Sequence, residues 1–142
     1  MTAQQTNANG KLIEEALTRS VIGSFYDVHR ELGFGYRELI YSAALERALA
    51  AKSHRVEREV AVMVYFRGEP LARQTLDMIV DDKLVVELKA TERLPPDATR
   101  QVFGYLSATD LEVGLLLHFG KQARFYRVIY ENRLKRHGGA TQ

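Results

Sequence analysis

The stretch Leu76-Asp77-Met78-Ile79-Val80-Asp81-Asp82-Lys83-Leu84-Val85-Val86-Glu87-Leu88-Lys89 decides the fold. Two apolar runs flank a short polar segment, which is the pattern of a β-hairpin. If Asp81-Asp82-Lys83 is a three-residue loop, Val80 pairs with Leu84, and counting outward sets Asp77 opposite Glu87. Side chains so opposed have Cβ atoms about 4.5–5.5 Å apart. Strand alternation then places Val85, Glu87 and Lys89 on one face and turns Leu84, Val86 and Leu88 into apolar packing. The run from Leu84 to Ala90 is apolar enough for a central strand. Two carboxylates and an ammonium therefore meet near the middle of a hydrophobic sheet. Burying such charges is costly unless they are paired or bind a metal. The hairpin alone leaves two readings open: a structural ion pair of Glu87 or Asp77 with Lys89, or an oxygen-only site suited to Mg²⁺ or Mn²⁺.

Working outward, the hydrophobic period changes several times. Ile13, Leu17, Val21, Phe25, Val28 and Leu32 recur at spacings of three and four, predicting a helix over 12–32 that Gly33-Phe34-Gly35 ends. A second helix is expected from about Tyr36 to Lys52, with Ile40, Ala44, Leu45, Ala48 and Leu49 as its buried stripe. Val56, Val60, Val62 and Val64 then alternate as in a half-buried strand. Arg67-Gly68-Glu69 is a turn, and Leu71 to Val80 returns. Beyond Lys89, Leu94-Pro95-Pro96-Asp97 breaks the chain, and a helix capped by Asp97 runs to about Ala108. Glu112–Phe119 and Arg124–Tyr130 read as two more strands. The order α-α-β-β-β-α-β-β predicts an α/β (α+β) fold, a mixed sheet flanked by helices. One domain is expected over residues 11–133, with 1–10 and 134–142 as loose ends.

Composition narrows the chemistry. The chain has 142 residues, 46% of them hydrophobic and 27% charged, as in an ordinary globular domain. No cysteine is present, which excludes disulfides, thiolate catalysis and zinc–thiolate sites. No apolar run reaches the roughly 20 residues of a membrane span, and Met1–Gly10 does not resemble a secretory signal, so a cytoplasmic protein is expected. The net charge of +2 is unevenly spread: Lys121, Arg124, Arg127, Arg133, Lys135 and Arg136 are opposed after residue 120 only by Glu131. Such a basic end suits phosphate contacts or a solvated tail.

Other polar residues fall where they can join the hairpin site. Glu38 opens the second helix just after the glycine pair, with Tyr41 three residues on. Gln101 and Tyr105 are four apart and share a face of the third helix.

Asp77, Glu87-Leu88-Lys89 and the later Gln101-Val102-Phe103-Gly104-Tyr105 together resemble the PD-(D/E)XK nuclease superfamily, in particular its RecB-type and lambda-exonuclease-like branch. Gly35-Tyr36-Arg37-Glu38-Leu39-Ile40-Tyr41 is similar to the signature of the GxxExxY family, and Val28-His29-Arg30-Glu31-Leu32-Gly33 to its lead-in. The resemblance spans roughly residues 17–130. Two departures stand out: Thr75 occupies a position where an arginine commonly precedes the aspartate by two, and Leu76 replaces the proline of the superfamily's name. The resemblance implies a restriction-endonuclease-like fold and a metal-dependent nuclease acting on DNA, with RNA not excluded. It implies Glu38, Asp77, Glu87 and the Leu88 carbonyl as metal ligands, Lys89 orienting water or neutralising phosphate charge, and Gln101 and Tyr105 positioning the backbone or nearby waters. The alternative is a nuclease-fold module that binds nucleic acid or a protein without turnover.

The remaining chemistry-bearing residues fit no other site. None of the four histidines shows metal-ligand spacing. His29, close to the glycine turn before Glu38, is the exception to watch. Gly33-Phe34-Gly35 follows a helix and is too short for a phosphate loop. No serine has nucleophile-elbow context. The late aromatics Phe119, Phe125, Tyr126 and Tyr130 suit sheet packing better than base stacking.

Overall fold

In a computed structural model, residues 13–135 of the chain are described. Helices α1 (Glu15–Leu32) and α2 (Glu38–Ala51) lead into strands β1 (Val56–Phe66), β2 (Glu69–Val80) and β3 (Leu84–Lys89). Helix α3 (Ala98–Ser107) and strands β4 (Val113–Phe119) and β5 (Ala123–Ile129) follow, then a 3₁₀ turn at Asn132–Leu134. This is the expected order. The five strands form one sheet in sequence order, antiparallel except for the central β3–β4 pair. A parallel pair needs a crossover of a dozen or more residues, and the segment carrying α3 supplies it.

The two faces are covered differently. On one, Phe25 and Val28 of α1 and Tyr41, Leu45 and Leu49 of α2 pack against Met78, Val80, Leu84, Val86 and Leu88. On the other, Val102, Tyr105 and Leu106 of α3 cover Val85, Leu116 and Leu76. Every residue of β4, and every residue of β3 but Lys89, is therefore buried, which is why these strands read as near-continuous apolar runs. Each such aliphatic side chain taken out of water contributes about 1.5–3 kcal/mol.

Three expectations need correction. The buried stripe of α2 is rotated: Ile40 is 40% exposed, and Tyr41 fills the core position instead. Tyr41 has the larger apolar body, and it stacks on Phe119 with ring centroids 4.3 Å apart. Asp97 precedes α3 but makes no side-chain cap hydrogen bond. Strand β1 does not keep one face to the core. Val56 joins the α1–α2 cluster, whereas Val60 and Val62 join the α3 cluster. The switch falls at Glu59, whose φ of 53° is left-handed. On β2 the same break lies between Leu76, which packs with α3, and Met78, which packs with α1 and α2. Asp77 sits at that break. Of the loose ends expected at 1–10 and 134–142, residues 1–10 and 136–142 lie outside the described residues, and Leu134 closes the 3₁₀ turn. Lys135 is held, donating to the carbonyls of Thr109 and Leu111 at 2.8 Å each.

Candidate metal centre

Hairpin register brings the acidic residues together. Val80 pairs with Leu84 and Met78 with Val86, as counted from sequence. The next pair, Asp77 with Glu87, does not close as backbone ladder. Asp77 instead turns its Oδ2 to accept the Leu88 N–H at 2.8 Å, replacing the missing ladder bond with a charge-assisted one. The N–H and C=O of a strand residue leave the backbone on the same side. The Leu88 carbonyl is thereby directed toward the edge where Asp77 lies.

Glu38, the first residue of α2, completes the cluster. One carboxylate oxygen from each of Glu38, Asp77 and Glu87 lies within 4.8 Å of the others. The positive end of the α2 macrodipole favours a carboxylate there. Glu87 is 3% exposed, and its Oε1 is buried without a hydrogen-bond partner. Its Oε2 lies 3.5 Å from Lys89 Nζ, the expected neighbour on the same face.

Charge in the cluster is unbalanced: three carboxylates face one ammonium. Burial, with the adjacent Asp77 charge, pushes the Glu87 carboxyl up to about 8, against the pull of Lys89. Burial and Asp77 likewise push Glu38 up to about 7. Near neutrality the cluster must retain protons or gain a cation. An orphaned buried oxygen, three converging carboxylates and a carbonyl on the same edge fit a hard divalent cation. The structural ion pair alone does not account for Oε1 of Glu87.

Gln101 and Tyr105 act at one remove from the carboxylates. Gln101 Nε2 donates to the Tyr105 hydroxyl at 3.1 Å, and that hydroxyl donates to the Thr75 carbonyl at 3.0 Å. Burial, then the charge of Glu87, pushes the phenol up to about 12, so it remains a donor. Tyr105 thus pins β2 two residues before Asp77. Sequence reading missed this use of the Thr75 backbone because it noted only the absent arginine side chain.

Tyr41, expected on the face of Glu38, stays out of the cluster. It is fully buried, and its hydroxyl donates to the Gly33 carbonyl and accepts the Tyr36 N–H. His29 bonds the Gly120 carbonyl through Nε2 at 2.7 Å and so ties α1 to the β4–β5 turn. His54 stands between Ser20 Oγ and Asp81 Oδ2, 2.7 Å from each. This Ser–His–Asp chain has a nucleophile's geometry, but Ser20 lies within α1, where the neighbouring backbone N–H groups are spent on the helix and cannot serve as an oxyanion hole. It works as a strut. The basic C-terminal end is also largely committed. Arg127 donates to the Ile13 carbonyl, Arg133 pairs with Glu131, Lys121 with Glu92, and Lys135 is buried. Arg136 lies outside the described residues.

A family model described as the PD-(D/E)XK nuclease superfamily matches residues 15–128. No curated protein matches the chain. The crystal structure of SSO0001 is similar, with 18% identity and a TM-score of 0.48, over 83% of this chain. This chain spans 60% of the length of that one.

Proposed function

Because the chain belongs to the PD-(D/E)XK nuclease superfamily, we propose that it hydrolyses phosphodiester bonds of DNA with a divalent cation, Mg²⁺ or Mn²⁺. The observation that carries this reading is the buried, unpartnered Oε1 of Glu87 beside the carboxylates of Glu38 and Asp77. These three residues, with the Leu88 carbonyl, would hold the cation.

Bound there, the cation supplies Lewis acidity toward the phosphate and acidifies water. The chain's own residues supply the rest. Asp77 keeps its carboxylate oriented through the Leu88 amide, so the ligand set needs little rearrangement on binding. Lys89 is 20% exposed at its side chain, enough to reach substrate while held near Glu87. Its ammonium offsets charge growing on the phosphate oxygens. Tyr105 and Gln101 fix β2 against α3 and so set the height of Asp77 above the sheet. The GxxExxY signature and the RecB-like motif order support this assignment within the superfamily.

The test is incubation of labelled single- and double-stranded DNA and RNA with Mg²⁺ or Mn²⁺, alongside Asp77→Ala and Lys89→Ala. We expect DNA cleavage that chelation abolishes, with Lys89→Ala slower by roughly 10²–10³-fold. Cleavage unchanged in both variants, or none on any substrate, would sink the catalytic reading.

A further inference from the structure

The segment between α1 and α2 presents two aromatic rings to solvent within four residues of Glu38 in the chain. Phe34 is 42% exposed and Tyr36 47% exposed. Glu38 follows Tyr36 by two residues, which places their Cα atoms at most about 7 Å apart. Exposed Arg37 lies between them and makes no ion pair among the described residues.

This loop is built rather than slack. Gly33 and Gly35 take φ values of 74° and 118°, which glycine adopts without strain. The Tyr41 hydroxyl grips both ends, accepting the Tyr36 N–H at 3.3 Å and donating to the Gly33 carbonyl at 2.5 Å. The Tyr36 ring stands edge-on to Tyr41 at 6.1 Å, Tyr41 stacks on Phe119, and Phe119 meets Phe25 edge-on at 4.8 Å. Tyr36 is therefore the exposed end of a buried aromatic column. The Tyr36 ring, held this way, loses little freedom on binding a flat partner.

We propose that Phe34 and Tyr36 form a stacking platform for unpaired bases of single-stranded DNA, with Arg37 meeting the backbone phosphate. The inference rests on the nuclease reading and names its substrate. A base within a duplex is already stacked on both faces. An unpaired base has a free π-face, and an aromatic ring binds it whatever its identity. The cationic Arg37 complements the phosphate of the same nucleotide.

The platform is tested without metal, by fluorescence anisotropy in chelator, so that binding is separated from cleavage. The probes are a labelled oligothymidine, an abasic strand of equal length and a blunt duplex. The wild-type chain should bind oligothymidine roughly five- to tenfold more tightly than the abasic strand, and more tightly than the duplex. Phe34→Ala with Tyr36→Ala should bind both single strands equally, while Tyr36→Phe should restore the preference. Equal wild-type affinity for the thymidine and abasic strands overturns the proposal, and needs no variant to fold. A duplex bound at least as tightly overturns it too. Base-dependent binding with no cleavage supports the platform while contradicting the nuclease reading; cleavage without base-dependent binding does the reverse.

Discussion

Asp77 and Asp81 lie four residues apart on one hairpin, yet they sit in opposite electrostatic situations. Asp81 occupies the β2–β3 turn. Its carboxylate accepts the Arg55 N–H at 2.7 Å and faces the His54 ring, which bonds Ser20 in turn. Burial alone raises the Asp81 carboxyl, but the Arg55 and His54 interactions outweigh it and lower its pKa. At the other end of β3, Asp77 shares space with Glu38 and Glu87, whose pKa values are raised. One cluster is satisfied and the other is frustrated. A satisfied polar network contributes to stability. A frustrated one costs stability and persists at sites that bind something.

The comparison is sharpest when each cluster loses one member. His54→Ala removes the bridge between α1 and the β2–β3 turn and leaves Ser20 and Asp81 without it. Thermal or urea unfolding should show a loss of about 1–3 kcal/mol. DNA cleavage at a permissive temperature should stay at the wild-type level. A variant of unchanged stability breaks the view of this chain as a strut.

Glu87→Gln should act in the opposite direction in metal-free protein. The native pKa of Glu87, about 8, lies above its ordinary 4.5, so the folded state holds the proton more tightly. Its contribution to stability is fully present below about pH 4.5 and is lost as pH rises through about 8. Glutamine cannot ionise. At pH 8–9 in chelator the variant should be more stable than wild type by on the order of 1 kcal/mol, with the two converging near pH 5. A destabilised variant at high pH would place Glu87 among satisfied groups.

The smallest change is expected from Gln101→Ala. Gln101 is exposed and supports Tyr105, whose hydroxyl keeps its bond to Thr75 without it. Chemical denaturation should register a change within about 0.5 kcal/mol. A larger loss would mean that Gln101 belongs to the structural framework of α3.

Much of this architecture was legible in the chain. Loop length fixed the hairpin register and through it the approach of Asp77 to Glu87, while strand alternation set Lys89 beside Glu87. The switch from helical spacing to period two marked the passage from α2 to β1, while the 3₁₀ turn at Asn132–Leu134 was not foreseen. What escaped was set by three-dimensional competition. Periodicity assigned Ile40 to the core, but the larger aromatic Tyr41 won that place through its stack on Phe119. Alternation treated β1 as one face, whereas the left-handed Glu59 divides it. Composition read the basic end as suited to phosphate contacts or as a solvated tail, whereas Arg127 and Lys135 each donate to backbone carbonyls. Glu38 was placed by family resemblance, since no local pattern joins the start of α2 to the end of β3.

The central claim is that the Glu38, Asp77 and Glu87 carboxylates await a divalent cation. Calorimetric titration of Mn²⁺ into metal-free protein tests it most directly, repeated at several pH values and with Glu87→Gln. Because the cation must displace protons from Glu38 and Glu87, wild-type affinity should rise as pH increases from about 6 to about 8, with protons released on binding. Glu87→Gln should remain folded and lose most of that affinity. Binding that is absent from the wild type, or equally strong in the variant, contradicts the account.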